Sequence, residues 1–219
     1  MEQIIKNLYH VGDSGCSVFL VDSRKEGGLV LIDCGMSIDL IRDIEVEGLK
    51  ISDITYCFLT HCHIDHIAAC SALLELVPDV KFIAHELDAN PIEMEGFNSK
   101  TAASWYGVRY KPVKLFKRLT NEVEEFNIGE YKFKCIHTPG HTPGSIAIYV
   151  KIGNNGVLFG QDIHGPFMAS FGSNLDDYQK SMQKLLDLNA DILCEGHFGI
   201  FRPADKVRKY IEGYMRSNR

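Results

Sequence analysis

The chain has 219 residues, 45% hydrophobic and 24% charged, a length and balance that suit a soluble globular protein built as one domain. A net charge of −6 and a pI near 5.8 exclude a broad basic face, so no nucleic-acid partner is expected. No apolar run approaches the roughly 18–20 residues of a membrane span, no apolar segment follows a basic start, and seven dispersed cysteines lack a C-x-x-C pair. The expectation is a cytoplasmic protein with reduced thiols and no membrane partner.

In chain order, residues 7–11, 17–22 and 29–33 read as strands, with a turn at Gly27-Gly28 between the last two. Ser37 is placed to cap a helix running to about Glu47, where Gly48 stops it. Residues 54–60 read as a buried strand, 64–76 as a helix ending before Pro78, and 80–85 as a strand. Residues 86–120 break the pattern with Asn90-Pro91, Gly96 and Gly107. There Phe97, Trp105, Tyr106, Tyr110 and Phe116 alternate with Arg109, Lys111, Lys114, Lys117 and Arg118. This segment predicts a lid-like insertion of short helices in a single domain spanning 1–219.

Beyond it, residues 124–127 and 131–137 form a hairpin, and 145–150 and 157–160 form another across Gly153-Asn154-Asn155-Gly156. Residues 175–188 read as a helix, 192–194 as a short strand and 204–215 as a final amphipathic helix. Sequential hairpins with helices between them predict an α/β architecture of mixed sheets covered by helices.

Nine histidines are present, and three fall in the run His61-Cys62-His63-Ile64-Asp65-His66. The run follows a strand, where residues i and i+2 point to one side, so His61 and His63 can grip one ion while Cys62 faces the core. The chain then turns into a helix, which lets Asp65 and His66 diverge toward a second ion. Imidazole and carboxylate suit zinc and other first-row metals.

With three later elements, this run resembles the metallo-β-lactamase superfamily. The His-x-His-x-Asp-His pattern stands complete at 61–66, and His137-Thr138-Pro139-Gly140-His141-Thr142-Pro143-Gly144-Ser145 is similar to the family's Gly-His-Thr-Pro-Gly-Ser loop. Leu158-Phe159-Gly160-Gln161-Asp162 resembles its strand ending in a bridging aspartate, and Glu195-Gly196-His197 its late Gly-His. The resemblance implies an αββα sandwich with two divalent metal ions, zinc first, with iron and manganese as alternatives. It implies that His61, His63 and His141 bind one ion, that Asp65, His66 and His197 bind the other, and that Asp162 bridges them. Asp33 matches a family aspartate that supports the site from behind; capping its own turn is an equally good role. His137 is expected to be structural, His10 and His85 ordinary strand-end residues, and His164, two residues past Asp162, a catalytic candidate that hydrogen-bonds substrate.

The chemistry expected is hydrolysis, with a metal-bridging hydroxide attacking the acyl carbon of a thioester or ester and Asp65 passing a proton to the leaving group. Departures from known branches narrow this. Zinc β-lactamases commonly carry cysteine where Asp162 stands. Glyoxalase II-type thioesterases share the ligand set but carry a long C-terminal helical region, whereas 22 residues follow His197 here. Quorum-quenching lactonases place a tyrosine soon after the bridging aspartate, where Ile163, His164 and Gly165 stand. The expected partner is a small-molecule substrate, with an apolar acyl group against Phe97, Trp105 and Tyr106 or an anionic ester against the basic residues of 86–120. A homodimer through the lid aromatics or the last helix is compatible with the sequence. Two alternatives stand: a mononuclear iron persulfide dioxygenase, whose motif also contains a cysteine and whose iron would use His61, His141 and Asp162, and a non-catalytic metal-containing sensor.

Overall fold

The computed structural model describes residues 1–42, 44, 48–97 and 99–219. Strands β1 (Glu2–Ile5), β2 (Leu8–Ser14), β3 (Cys16–Asp22), β4 (Leu29–Ile32), β5 (Ile54–Phe58), β6 (Lys81–His85) and β7 (Lys117–Leu119) form one mixed sheet in that spatial order. Strands β8 (Val123–Ile128), β9 (Tyr131–His137), β10 (Ile146–Ile152), β11 (Asn155–Phe159), β12 (Ile192–Glu195) and β13 (Gly199–Phe201) form the second, again in chain order. Pairing is parallel from β4 to β7 and between β11 and β12, and antiparallel elsewhere.

The strand sequences explain the layering. The central strands are apolar on both faces, as strands covered on both sides must be. Phe19, Val21, Val30, Ile32, Phe133 and Phe159 point into the core between the sheets. Their neighbours Val18, Leu20, Leu29 and Leu31 face helices α1 (Asp39–Arg42), α2 (Ile64–Ile67) and α3 (Cys70–Leu76). On the far side, Ala147, Leu158 and Leu193 pack against α6 (Leu175–Asp187) and α7 (Ala204–Ser217). The remaining helices, α4 (Glu86–Glu93) and α5 (Ala103–Tyr106), follow β6. The result is the expected αββα sandwich, with Phe19 against Phe159 and Phe58 against Phe133 joining the sheets at ring separations of 5.6 and 5.7 Å.

Several boundaries differ from expectation. The helix expected over 64–76 breaks between α2 and α3. The His66 carbonyl accepts from the Cys34 amide at 2.8 Å, and the Ala69 amide donates to the Gly35 carbonyl at 3.1 Å. The backbone there serves the loop after β4, not a continuous helix. α1 begins where Ser37 Oγ accepts from the Asp39 amide, and positions 43 and 45–47 of the expected helix lie outside the described residues. Edge strands β1, β7 and β13 have no signal in the apolar pattern, because an edge strand needs no second apolar face. β7 also corrects the reading of 86–120 as short helices alone. The segment contributes a parallel edge strand, reached from β6 through α4. The β10–β11 turn is tighter than expected, since Ile152 already pairs with Asn155.

Candidate metal centre

The C-terminal ends of strands from both sheets meet at one edge of the sandwich. Sheets built this way place ligand sites beyond their strand ends. The loop after β5 supplies His61, His63, Asp65 and His66. The β9–β10 loop supplies His141, the end of β11 supplies Asp162, and the turn after β12 supplies His197. All but the half-buried His197 are buried.

Two groups of donors converge. Donor atoms of His61, His63, His141 and Asp162 lie within 4.8 Å of one another, as do those of Asp65, His66 and His197. Asp162 faces both groups. Its Oδ2 is 3.6 Å from His61 Nε2 and 3.2 Å from His141 Nε2, while its Oδ1 is 3.3 Å from His66 Nε2 and 3.1 Å from His197 Nε2. His197 Nε2 also lies 3.5 Å from Asp65 Oδ2.

Contacts behind the cluster select the tautomers. His66 Nδ1–H donates to Asp33 Oδ2 at 2.8 Å, and His141 Nδ1–H donates to the Pro166 carbonyl at 2.9 Å. Each leaves its Nε2 lone pair facing the cluster, the arrangement that carboxylates and carbonyls impose on metal-binding histidines. Asp33 also accepts from the Thr60 amide and hydroxyl at 2.8 and 2.7 Å. It therefore supports the site and organises its own turn at once. His61 Nε2, His66 Nε2 and Asp162 Oδ1 are buried without a hydrogen-bond partner. Unpartnered buried polar atoms cost about 1–3 kcal/mol each, so a cation at their focus would satisfy them.

The electrostatics point the same way. Burial pushes the His61 and His63 imidazoles well below their ordinary pKa, which keeps their lone pairs free. Burial opposes ionisation of Asp162, but the neighbouring His66 and His61, with His141 and His197 close beside it, hold its carboxyl well below the usual range. For His66 burial is outweighed by the carboxylates of Asp162, Asp65 and Asp33, a negative field that raises its pKa and would equally draw a metal cation in place of the proton.

The other histidines separate. His164 sits at the lip of the cluster, grouped with Asp162 and His197. His137 donates to or accepts from nothing in the cluster; its Nε2–H reaches the Pro143 carbonyl at 2.9 Å, and its ring stacks on His85 at 3.8 Å. His85 caps α4 by accepting from the Leu87 amide, and His10 packs on Phe19. Cys62 turns its thiol into the core toward the Lys100 carbonyl.

Three important residues carry no sequence signal. Asp88 of α4 is fully buried and accepts from the Cys62 amide (3.1 Å), Thr142 Oγ1 (2.7 Å) and the Gly144 amide (2.8 Å). It thus ties the loop of His61–His66 to the loop of His141. Phe171 lies 4.2 Å from the His63 ring and 5.0 Å from Trp105, making an apolar wall. Glu195 holds His164 through Nδ1 at 2.9 Å. Within residues 86–120, Phe97 lines a separate hollow of ≈ 440 Å³ with Met94, Val108 and Tyr110. Arg109, Lys111, Lys117 and Arg118 pair with Glu95, Glu75, Glu124 and Glu93.

Residues 11–197 match the family model described as the metallo-beta-lactamase superfamily. The chain belongs to the metallo-β-lactamase superfamily. An uncharacterized protein of Aquifex aeolicus is 30% identical over 201 residues, covering 86% of this chain and 87% of that one. A probable metallo-hydrolase of Methanocaldococcus jannaschii is 33% identical over 148 residues, 66% of each chain. A Cronobacter sakazakii metallo-β-lactamase with a HARLDQ motif superposes with a TM-score of 0.82 at 19% identity, covering 99% of this chain and 91% of that one. That likeness speaks for the fold. In this superfamily member the His/Asp cluster at the sheet edge is able to bind metal ions.

Proposed function

We propose that the chain is a dinuclear metallo-hydrolase that cleaves the ester or thioester of a small molecule carrying an apolar acyl group. The observation that carries this reading is the placement of Asp162, with one carboxylate oxygen toward His61 and His141 and the other toward His66 and His197. A shared carboxylate between two donor groups suits two neighbouring ions. On this reading His61, His63 and His141 hold the first, Asp65, His66 and His197 the second, and Asp162 belongs to both. Zinc is the first choice, and the same nitrogen and oxygen donors accept iron or manganese. When bound, such ions supply Lewis acidity toward an acyl carbonyl and a water-derived nucleophile at neutral pH.

The chain's own residues do the rest. Asp33 and the Pro166 carbonyl keep His66 and His141 in the ligand tautomer. Phe171 and Trp105 exclude water beside His63 and offer an apolar surface to the acyl group. Asp65 Oδ2 takes up a proton and returns it to the leaving group. Most basic residues of 86–120 already have carboxylate partners, which favours the apolar acyl group over an anionic ester. No helix among the described residues is long and apolar enough to cross a membrane. All seven cysteines are free, which accords with a reducing compartment and supports a cytoplasmic location.

Metal analysis with a substrate panel tests the proposal. The expected result is about two zinc or manganese per chain, with ester or thioester turnover that chelation abolishes. A single iron with oxygen consumption on a persulfide would overturn it in favour of the dioxygenase. Two bound ions with no turnover on thioesters, esters, lactones or phosphodiesters would leave a sensor.

A further inference from the structure

His164 and Glu195 form a pair that the seven-residue ligand set does not use. Glu195 ends β12 and is fully buried. Its Oε1 accepts His164 Nδ1–H at 2.9 Å, and its Oε2 accepts the amides of His197 and Phe198 at 2.7 and 2.9 Å. A buried carboxylate is costly unless such donors compensate it. Here the compensation sets the position of two imidazoles at once, one through its ring and one through its backbone.

The arrangement repeats the one behind His66, in an adjoining donor group of Asp162, His164 and His197 that shares His197 with the group of Asp65 and His66. Asp33 takes Nδ1–H of His66 and turns its Nε2 toward the cluster. Glu195 takes Nδ1–H of His164 and leaves its Nε2 lone pair available in the same way. A donor atom of His164 lies within 4.8 Å of donors of both Asp162 and His197. The ring is steered by the edge-on contact of Phe198 at 4.7 Å and by His197 at 5.1 Å.

We infer that His164 is a ligand of the second ion and that Glu195 is its positioning residue. The inference rests on the dinuclear reading above. It changes the chemistry of the second site. Without His164 that site has two imidazoles against three in the first; with it, each ion has three. The second site then becomes a binder of nitrogen-preferring divalent ions such as zinc and cobalt(II), not a weaker, oxygen-rich companion.

The test is a titration of the metal-free full-length chain with zinc against a chromophoric chelator, repeated with cobalt(II) and its ligand-field absorption. Wild type is expected to take two ions. His164→Ala should keep the tighter ion with unchanged affinity and weaken the other by about 10–100-fold, with an altered cobalt spectrum for that ion alone. Glu195→Gln retains an acceptor for the backbone amides and should weaken the same ion by about tenfold, with circular dichroism showing an intact fold. Wild-type affinities and spectra in both variants would overturn the inference even if turnover fell, since His164 would then act on substrate alone. Fewer than two ions in wild type would instead overturn the dinuclear reading, and this inference with it.

Discussion

Asp162 and Asp33 both adopt left-handed backbone conformations, with φ of 53° and 60°. This region costs a non-glycine residue roughly 1–2 kcal/mol, and it persists where surrounding contacts hold the side chain. Here the strain aims a carboxylate at histidines. Asp162→Asn removes the negative charge shared by the two donor groups. If the site is dinuclear as proposed, metal content should fall from about two ions to one or none, and kcat/KM should fall at least about 100-fold; an unchanged metal content would exclude the bridging role. Asp33→Ala leaves His66 Nδ1 and both Thr60 donors without an acceptor. It should weaken the second ion by about 10–100-fold and cost about 2–4 kcal/mol of stability, measured by metal titration and denaturant unfolding. Gly196 shows the same crowding from the other side. A Cβ there would lie 2.9 Å from Asp162 Oδ1 and against Gln161 Oε1. The Gly-His pair is therefore a packing requirement as much as a ligand motif.

At the scale of elements, α4 works as a fastener. Through Asp88 it fastens two ligand-bearing loops that are distant in sequence. Gly144 allows this approach, because a Cβ there would lie 2.6 Å from the Asp88 carboxylate. Asp88→Ala strands three buried donors and should destabilise the fold by about 3 kcal/mol, lowering Tm by about 6–12 °C in a domain of this size. Activity should fall even well below the melt, because both loops lose their shared anchor; a variant with a wild-type melt would refute the fastening role. The ends of β6 and β9 meet in the His85–His137 stack. Burial, then the neighbouring His137, lowers the His85 pKa from 6.5 to about 4, while Glu124 and Glu122 pull it upward. The folded state thus resists a proton that the unfolded chain accepts. This stability contribution is complete above pH 6.5 and is lost as pH falls toward about 4. His85→Asn can still cap α4, and should flatten the acid limb of a Tm-versus-pH profile relative to wild type.

Over the whole molecule, the candidate centre joins the two sheets. Four of its residues follow β5 of the first sheet, and His141, Asp162 and His197 belong to the second. Ions bound there would cross-link the sandwich, so their removal is a stability event as well as a loss of chemistry. Chelation should lower Tm by at least about 5–10 °C, since each ion at 100 times its Kd contributes about 2.7 kcal/mol. Readdition of zinc should restore it, and a chelator-insensitive melt would exclude the cross-link. The residues of this centre were legible in the chain because each sits in a short motif. The spacing of His61 to His66 is local, and the resemblance assembled the rest in order. Mixed sheets covered by helices were legible from the order of hairpins and helices, whereas the αββα sandwich came from the family resemblance. The roles of Asp88, Phe171 and Glu195 were not legible, since Asp88 reaches Cys62 and Thr142, Phe171 reaches His63, and Glu195 reaches His164, all distant in sequence. The break between α2 and α3 was hidden for the same reason, because its cause is the backbone of the loop after β4. Local spacing thus marked His61 to His66 as candidate ligands, and the family resemblance, not spacing, added His141, Asp162 and His197. The folded arrangement decided which tautomer His66 and His141 present, what wall stands beside His63 and which loops are tied together. Those properties arise from hydrogen bonds and packing between segments that meet only when the two sheets close.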